Sequence, residues 1–285
     1  MKTLHIVPGT GDVSNGMVVV ARMLAKEQGN AEVVDLDQWA LKVEKGDAEE
    51  VWVHGMWLPK EWLTCYKALR LGKRLVRMTH GSLSPVYLKH QSPLKKRLVS
   101  PIERYLLRKV DKVIATCEAE ADWIRAYEPR VKSIEVTDLK RFFHLNHVDH
   151  VGQIEKGTLH LLYLGRNHPL KGLEYFKTAV RQIQDSSAPL RLSARIISNA
   201  SGKELDDSWS WCDVLILPTL SENFGLVIAE AIERGKRVIT TDGAPAWSND
   251  NDYGGRLIYL RGYRDGPDEE RITLLKDAIE SIVKE

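Results

Sequence analysis

The sequence predicts an α/β protein of two Rossmann-like, doubly wound domains facing a cleft. Three observations carry that expectation. Short apolar runs alternate with amphipathic stretches along most of the chain, the pattern of βαβ units and parallel sheets. The alternation dissolves once, over Asp138–Gly157, which is polar and rich in His and Lys. A chain of 285 residues is also long for one ordinary domain and suits two. The expected boundaries are 1–140 for the first domain, 141–157 for a linker and 158–285 for the second.

In the first domain strands are expected at Leu4–Pro8, Ala31–Leu36, Glu50–Val53, Arg74–Met78, Lys112–Thr116 and Ser133–Val136. Gly16–Gln28 has helical spacing through Val19, Met23 and Leu24. Lys60–Leu71, Pro93–Lys109 and Glu118–Ala126 are also helical, with a bend expected at Pro101. In the second domain strands at Leu159–Gly165, Leu190–Ile197, Asp213–Leu217 and Arg237–Thr241 alternate with helices at Lys171–Ile183 and Phe224–Arg234. A last helix covers Asp268–Val283. Ligands of such sheets sit beyond the carboxyl ends of the strands, and nearly every motif below falls at such an end.

Composition is that of a globular protein, and no apolar run is long enough to span a bilayer. The apolar stretch at the N-terminus is too short for a signal peptide and reads as a first strand. Cys65, Cys117 and Cys212 are an odd set without close pairing, which disfavours a disulfide framework or a zinc site. A reducing cytosol is the expected compartment. The net charge of +2 is unevenly spread: 13 Lys and Arg between Lys60 and Lys109 face only Glu61 and Glu103. Such an excess suits an anionic membrane surface, a nucleic acid or an anionic substrate, and equally a solvated face.

The most informative motif is Ser221-Glu222-Asn223-Phe224-Gly225, a polar turn between an apolar strand and a helix that carries Glu230. At 1.5 Å rise per residue the two glutamates would lie about 12 Å apart along the axis. The helix N-terminus between them offers free N–H groups to phosphate. Sugar, diphosphate and ribose of a nucleotide-sugar fit that order. In Gly165-Arg166-Asn167-His168-Pro169-Leu170-Lys171-Gly172, two cations surround a turn at a strand end. Cations oppose the dipole at a helix start, so an anion between them explains their presence. They would stabilise the charge that grows on a departing diphosphate. As plain surface cations they would have no such role.

His80, at a strand end before Gly81, is placed to donate to a sugar hydroxyl or to stabilise charge. His54-Gly55 has the same local form, and a lone histidine is commonly structural. The loop Gly9–Gly16 has Ser14 where the dinucleotide fingerprint needs its third glycine, and Met17 where the P-loop needs lysine. Gly11 and Gly16 leave a flexible turn that a ligand can approach, or simply a tight strand–helix turn. Asp242 reads as a turn residue, and Trp209, Trp211 and Trp247 as packing. No cluster has metal-ligand spacing, and no G-x-S-x-G nucleophile motif occurs.

These motifs together resemble the retaining glycosyltransferases of the GT-B fold, family 4. Gly165-Arg166 with Lys171-Gly172, Pro218–Gly225 through Glu230, and Thr240–Pro245 carry the likeness in the second half. Thr79-His80-Gly81 and Ala115–Glu120 carry it in the first, in the same order along the chain. The resemblance implies that Arg166 and Lys171 bind the donor diphosphate, Glu222 the sugar hydroxyls and Glu230 the ribose. The amides around Asn223, Phe224 and Gly225 would face phosphate or sugar, and His80 would contact the sugar. It implies front-face transfer with retention, no metal or other cofactor, and a nucleotide-diphosphate sugar as donor. A glycan, lipopolysaccharide or lipid-linked acceptor is implied, for a cytoplasmic enzyme peripheral to the inner membrane face, which suits the basic stretch.

The chain departs from the family pattern in three places. Ser198–Cys212 is too short for the helix, strand and helix expected there, giving a shortened C-terminal domain and leaving base preference open. Val136-Thr137-Asp138-Leu139 stands in place of a Pro-Asn-Gly turn, and the first loop lacks paired glycines. Two rival readings keep the fold. One is a transferase acting on a modified base of a nucleic acid. The other is a non-catalytic scaffold that binds a nucleotide-sugar or a partner.

Overall fold

The structure, a computed structural model, describes residues 1–12, 15–38, 47–145, 157–186, 191–198, 202–248 and 253–284. Two units divide the chain, Met1–Asp138 and Leu139–Glu285. The first holds strands β1 (Thr3–Val7), β2 (Ala31–Asp35), β3 (Glu50–His54), β4 (Arg74–Met78), β5 (Lys112–Ala115) and β6 (Ile134–Val136). They form one parallel sheet in the order β2-β1-β3-β4-β5-β6. Helices α1 (Gly16–Gln28), α2 (Pro59–Arg70), α3 (Pro85–His90), α4 (Pro93–Lys109) and α5 (Glu118–Tyr127) lie between these strands along the chain.

The sheet is buried on both faces, so its strands read as apolar runs. Ile6, Val51, Val53, Leu75 and Val113 see no solvent. Several polar groups share that core. Arg77 and Glu103 are both fully buried and paired, Nη1 to Oε2, at 2.6 Å. Glu103 Oε1 also accepts from the Trp57 backbone N–H at 2.6 Å and from Trp62 Nε1 at 2.8 Å. Removing one member of such a pair costs about 3–5 kcal/mol, because the other charge is stranded. Glu61 is buried too, accepting the Leu58 backbone N–H at 2.9 Å where α2 begins. Both acidic residues of the basic stretch are thus internal. The surface left behind is more uniformly basic than the sequence implied, although Arg77 no longer contributes to it.

The second unit holds β7 (Thr158–Leu164), β8 (Arg191–Ile197), β9 (Val214–Leu217), β10 (Arg237–Thr241) and β11 (Leu257–Leu260), a parallel sheet in the order β11-β10-β9-β7-β8. Its helices are α6 (Leu173–Asp185), α7 (Lys203–Trp211), α8 (Leu226–Glu233) and α9 (Asp268–Lys284). Leu173, Phe176, Ala179, Val180 and Ile183 recur at helical spacing and form the buried face of α6. Only α7 lies between Ile197 and Asp213, so among the described residues β8 is an edge strand and largely exposed.

Three elements escaped the sequence pattern. α3 is only six residues long, begun by the Ser84 side chain accepting from the Tyr87 N–H. α7 is polar and buries only Ser208 and Trp209. β11 has four residues. The expected linker over 141–157 lies mainly outside the described residues. Its beginning packs within the second unit: Phe143 stacks on Phe224 at 6.2 Å, and the His144 backbone N–H donates to Glu233 at 3.0 Å. Among the described residues no helix is long and apolar enough to cross a membrane.

Candidate functional site

Three loops of the second unit leave the carboxyl ends of the neighbouring strands β7, β9 and β10, and main-chain contact knits them together. A Cβ on Gly172 would fall 1.9 Å from the Pro218 carbonyl oxygen, and one on Gly243 would fall 2.0 Å from that of Thr219. Only glycine allows that approach. Leu220 N donates to Leu170 O at 2.8 Å, and Glu222 N to Gly243 O at 2.8 Å. The Thr241 hydroxyl donates to Thr219 O. This framework sets Lys171 beside Glu222, with Nζ 2.6 Å from Oε2 and the two side chains 16% and 17% exposed. Glu222 Oε1 also accepts its neighbour's N–H, that of Asn223, at 3.1 Å. Arg166 is exposed on the first of these loops.

Gly225 is in the left-handed region (φ 75°, ψ 64°) and opens α8 with no side-chain cap. That conformation corrects one expectation. The helix begins at Leu226 rather than Phe224, so Glu222 precedes it and helical rise does not set the distance between the two glutamates. Glu230 is the fifth helical residue, and burial pushes its carboxyl up from the usual range against the pull of Arg234. The Phe224 ring is buried 5.4 Å from Trp247, whose Nε1 donates to Phe224 O at 2.5 Å. Only the backbone of Phe224 is therefore offered to the loop. Asp242 is a turn residue, accepting the N–H groups of Gly262 and Arg264 at 2.8 and 2.7 Å.

In the first unit His80 follows β4 with φ 50°, before Gly81 at φ 71°. A non-glycine residue there is strained and needs support. Glu120 supplies it. Its fully buried carboxylate accepts from Thr79 Oγ1 and Gly81 N, both at 2.6 Å, and from Thr116 N and Oγ1, both at 2.8 Å. Neither Glu120's clamp nor the partners of the His80 ring were anticipated. His54 Nδ1 lies 2.8 Å from His80 Nε2, and His5 Nδ1 lies 2.9 Å from His54 Nε2. Strand register brings them together: His5 is opposite Trp52 and His54 opposite Met78. Each histidine is thus two residues further along the next strand and on the same face. Burial pushes His5 down to about 4 and His80 to about 3, and holds His54 well below the usual imidazole range. All three are neutral at pH 7.

After β1, Asp35 accepts from Thr10 N at 2.7 Å and from its hydroxyl, and Asn15 caps α1. Gly16 is the first residue of that helix, and a Cβ at Gly11 would meet nothing within 4 Å. On α4, Leu94, Leu98, Ile102 and Tyr105 form an exposed apolar stripe at helical spacing, and Leu63 and Tyr66 are exposed on α2.

Two parallel α/β units, with charged loops gathered at adjacent strand ends, give this chain the fold of the GT-B glycosyltransferases. Residues 17–137 match the profile of the glycosyl transferase 4-like domain. No curated protein matches the sequence. Among solved structures, sucrose-phosphate synthase from Thermosynechococcus elongatus is similar over 100% of this chain and 90% of its own, at 17% identity and TM-score 0.67. The lipopolysaccharide outer core galactosyltransferase WaaB in its apo form is similar over 99% and 91%, at 14% identity and TM-score 0.61. The S. aureus MnaA–UDP co-structure is similar over 100% and 88%, at 12% identity and TM-score 0.53.

Proposed function

We propose that the chain is a retaining glycosyltransferase that moves a hexose-type sugar from a nucleotide-diphosphate sugar to a glycan, lipopolysaccharide or lipid-linked acceptor. The observation that carries this reading is the Lys171–Glu222 pair, held by glycine-lined loops beside the uncapped start of α8. A diphosphate would draw Lys171 toward itself and free Glu222 for sugar hydroxyls, with Arg166 as a second cation. The amides of Asn223, Phe224 and Gly225 and the α8 dipole would take up remaining charge. Glu230 would meet the ribose and His80 the sugar. Fixed cations that strengthen their hold as the diphosphate leaves lower the barrier, and the leaving phosphate would assist deprotonation of the acceptor. In this reading protein groups, without a metal ion, stabilise the leaving diphosphate. UDP in the MnaA co-structure supports a nucleotide ligand for this fold.

The apolar stripe of α4 within a basic surroundings favours an anionic membrane over a nucleic acid, since insertion uses apolar side chains that phosphate-backbone binding does not. The test is sugar transfer across a panel of nucleotide-sugars, with and without chelator, and with the product anomer read by NMR. Retention in the presence of chelator is expected. Inversion or metal-dependent turnover would overturn those parts. A folded protein that bound a donor but never turned it over would favour the scaffold reading.

A further inference from the structure

Gln28, His5, His54 and His80 form one hydrogen-bonded file across the first unit. Gln28 Oε1 lies 2.9 Å from His5 Nε2, His5 Nδ1 lies 2.9 Å from His54 Nε2, and His54 Nδ1 lies 2.8 Å from His80 Nε2. The middle rings are fully buried, while Gln28 is exposed at the end of α1. A neutral imidazole has one N–H and one lone pair, so each ring donates at one nitrogen and accepts at the other. In an unbroken file every ring must then point its proton the same way. Otherwise two N–H groups, or two lone pairs, would face each other in the core. Only two whole-file states exist. With the Gln28 carbonyl facing His5, all three rings carry the proton on Nε2 and His80 Nδ1 is a lone pair. With the Gln28 amide NH₂ facing His5, all three carry it on Nδ1.

We infer that Gln28, His5 and His54 are positioning residues that select which ring nitrogen of His80 carries its proton, so that Nδ1 meets a ligand hydroxyl as an acceptor. The use of that selection rests on the reading of His80 as a sugar contact. It revises the role expected from sequence, in which the imidazole donates or stabilises charge. A neutral ring with its proton turned inward does neither at Nδ1. The depressed basicity of all three rings supports the neutral file the selection requires.

The test is two-bond ¹H–¹⁵N correlation of ¹⁵N-histidine protein without ligand, which reads the tautomer of each ring and needs no activity. Wild type should show the same tautomer at all three rings, with Nε2–H the major form of His80, as the Gln28 carbonyl facing His5 requires. Gln28→Lys presents only donors to His5 and should invert all three rings together. Gln28→Leu removes the selector and should bring the two tautomers of His80 within a few-fold. Both changes are at an exposed helix end, and unchanged melting would confirm intact folding. His80 keeping its wild-type tautomer ratio in both folded variants would overturn the inference. A failed donor assay alone would overturn only the reading of His80 as a sugar contact.

Discussion

His80 is held by side chains that see little or no solvent, whereas Lys171 and Glu222 are held by main chain and remain partly open to it. Glu120 and His54 do the holding in the first unit, and both are fully buried. In the second unit Gly172 and Gly243 let carbonyl groups approach where no side chain fits, and the charges stand on that frame. The difference separates two kinds of cost. Side chains that hold the first site are part of the core, so their loss is paid in stability. The Lys171–Glu222 pair stands on the second frame partly open to solvent, so its loss should cost less stability.

The sharpest way to break this comparison is to remove a charge from the second unit. Lys171→Ala should lower the rate of sugar transfer by about 10²–10³-fold, the usual scale for one lost group that stabilises a developing anion. Its effect on the urea midpoint should correspond to about 1 kcal/mol or less, because the ion pair is not deeply buried. The converse substitution is Glu120→Ala. It strands four donors in the core and should lower stability by about 3 kcal/mol or more in urea unfolding, whatever happens to activity.

A smaller effect follows from acid. His5 and His54 have folded pKa values below the unfolded value near 6.5. The unfolded chain therefore binds more protons below that pH. The contribution of the neutral rings is complete above about pH 6.5 and falls as pH drops toward the folded values. Each proton taken up contributes a slope of up to about 1.4 kcal/mol per pH unit. Urea midpoints between pH 7 and 5 should fall in wild type and fall less steeply in a folded His5→Gln variant. The smallest expected effect is on membrane affinity. Leu98→Glu on the exposed stripe of α4 should reduce flotation with anionic vesicles several-fold and leave donor binding unchanged.

The placement of the charged turns at strand ends was legible in the sequence because it is local. The turn at Ser221–Gly225 and the cations around Pro169 are each written in a few consecutive residues, and so are the apolar strands before them. What was not legible is what depends on register between distant strands. His5, His54 and His80 are far apart in sequence and meet only because β1, β3 and β4 are neighbours, each two residues ahead of the last. Glu120 looks like an ordinary acidic residue in the first turn of α5 until the β4 loop is laid against it. The spacing of Glu222 and Glu230 was misread for a related reason: one left-handed glycine, Gly225, starts the helix later than periodicity implied.

The most direct measurement of the proposed donor site is calorimetric titration of uridine, guanosine, adenosine, cytidine and thymidine diphosphate sugars into wild type and Lys171→Ala. One of these donors should bind wild type, and the substitution should weaken it at least about tenfold, the worth of one charge-assisted hydrogen bond, at unchanged melting temperature. A folded wild-type protein that binds none of them, or a donor whose affinity is indifferent to Lys171, would contradict a diphosphate site at these loops.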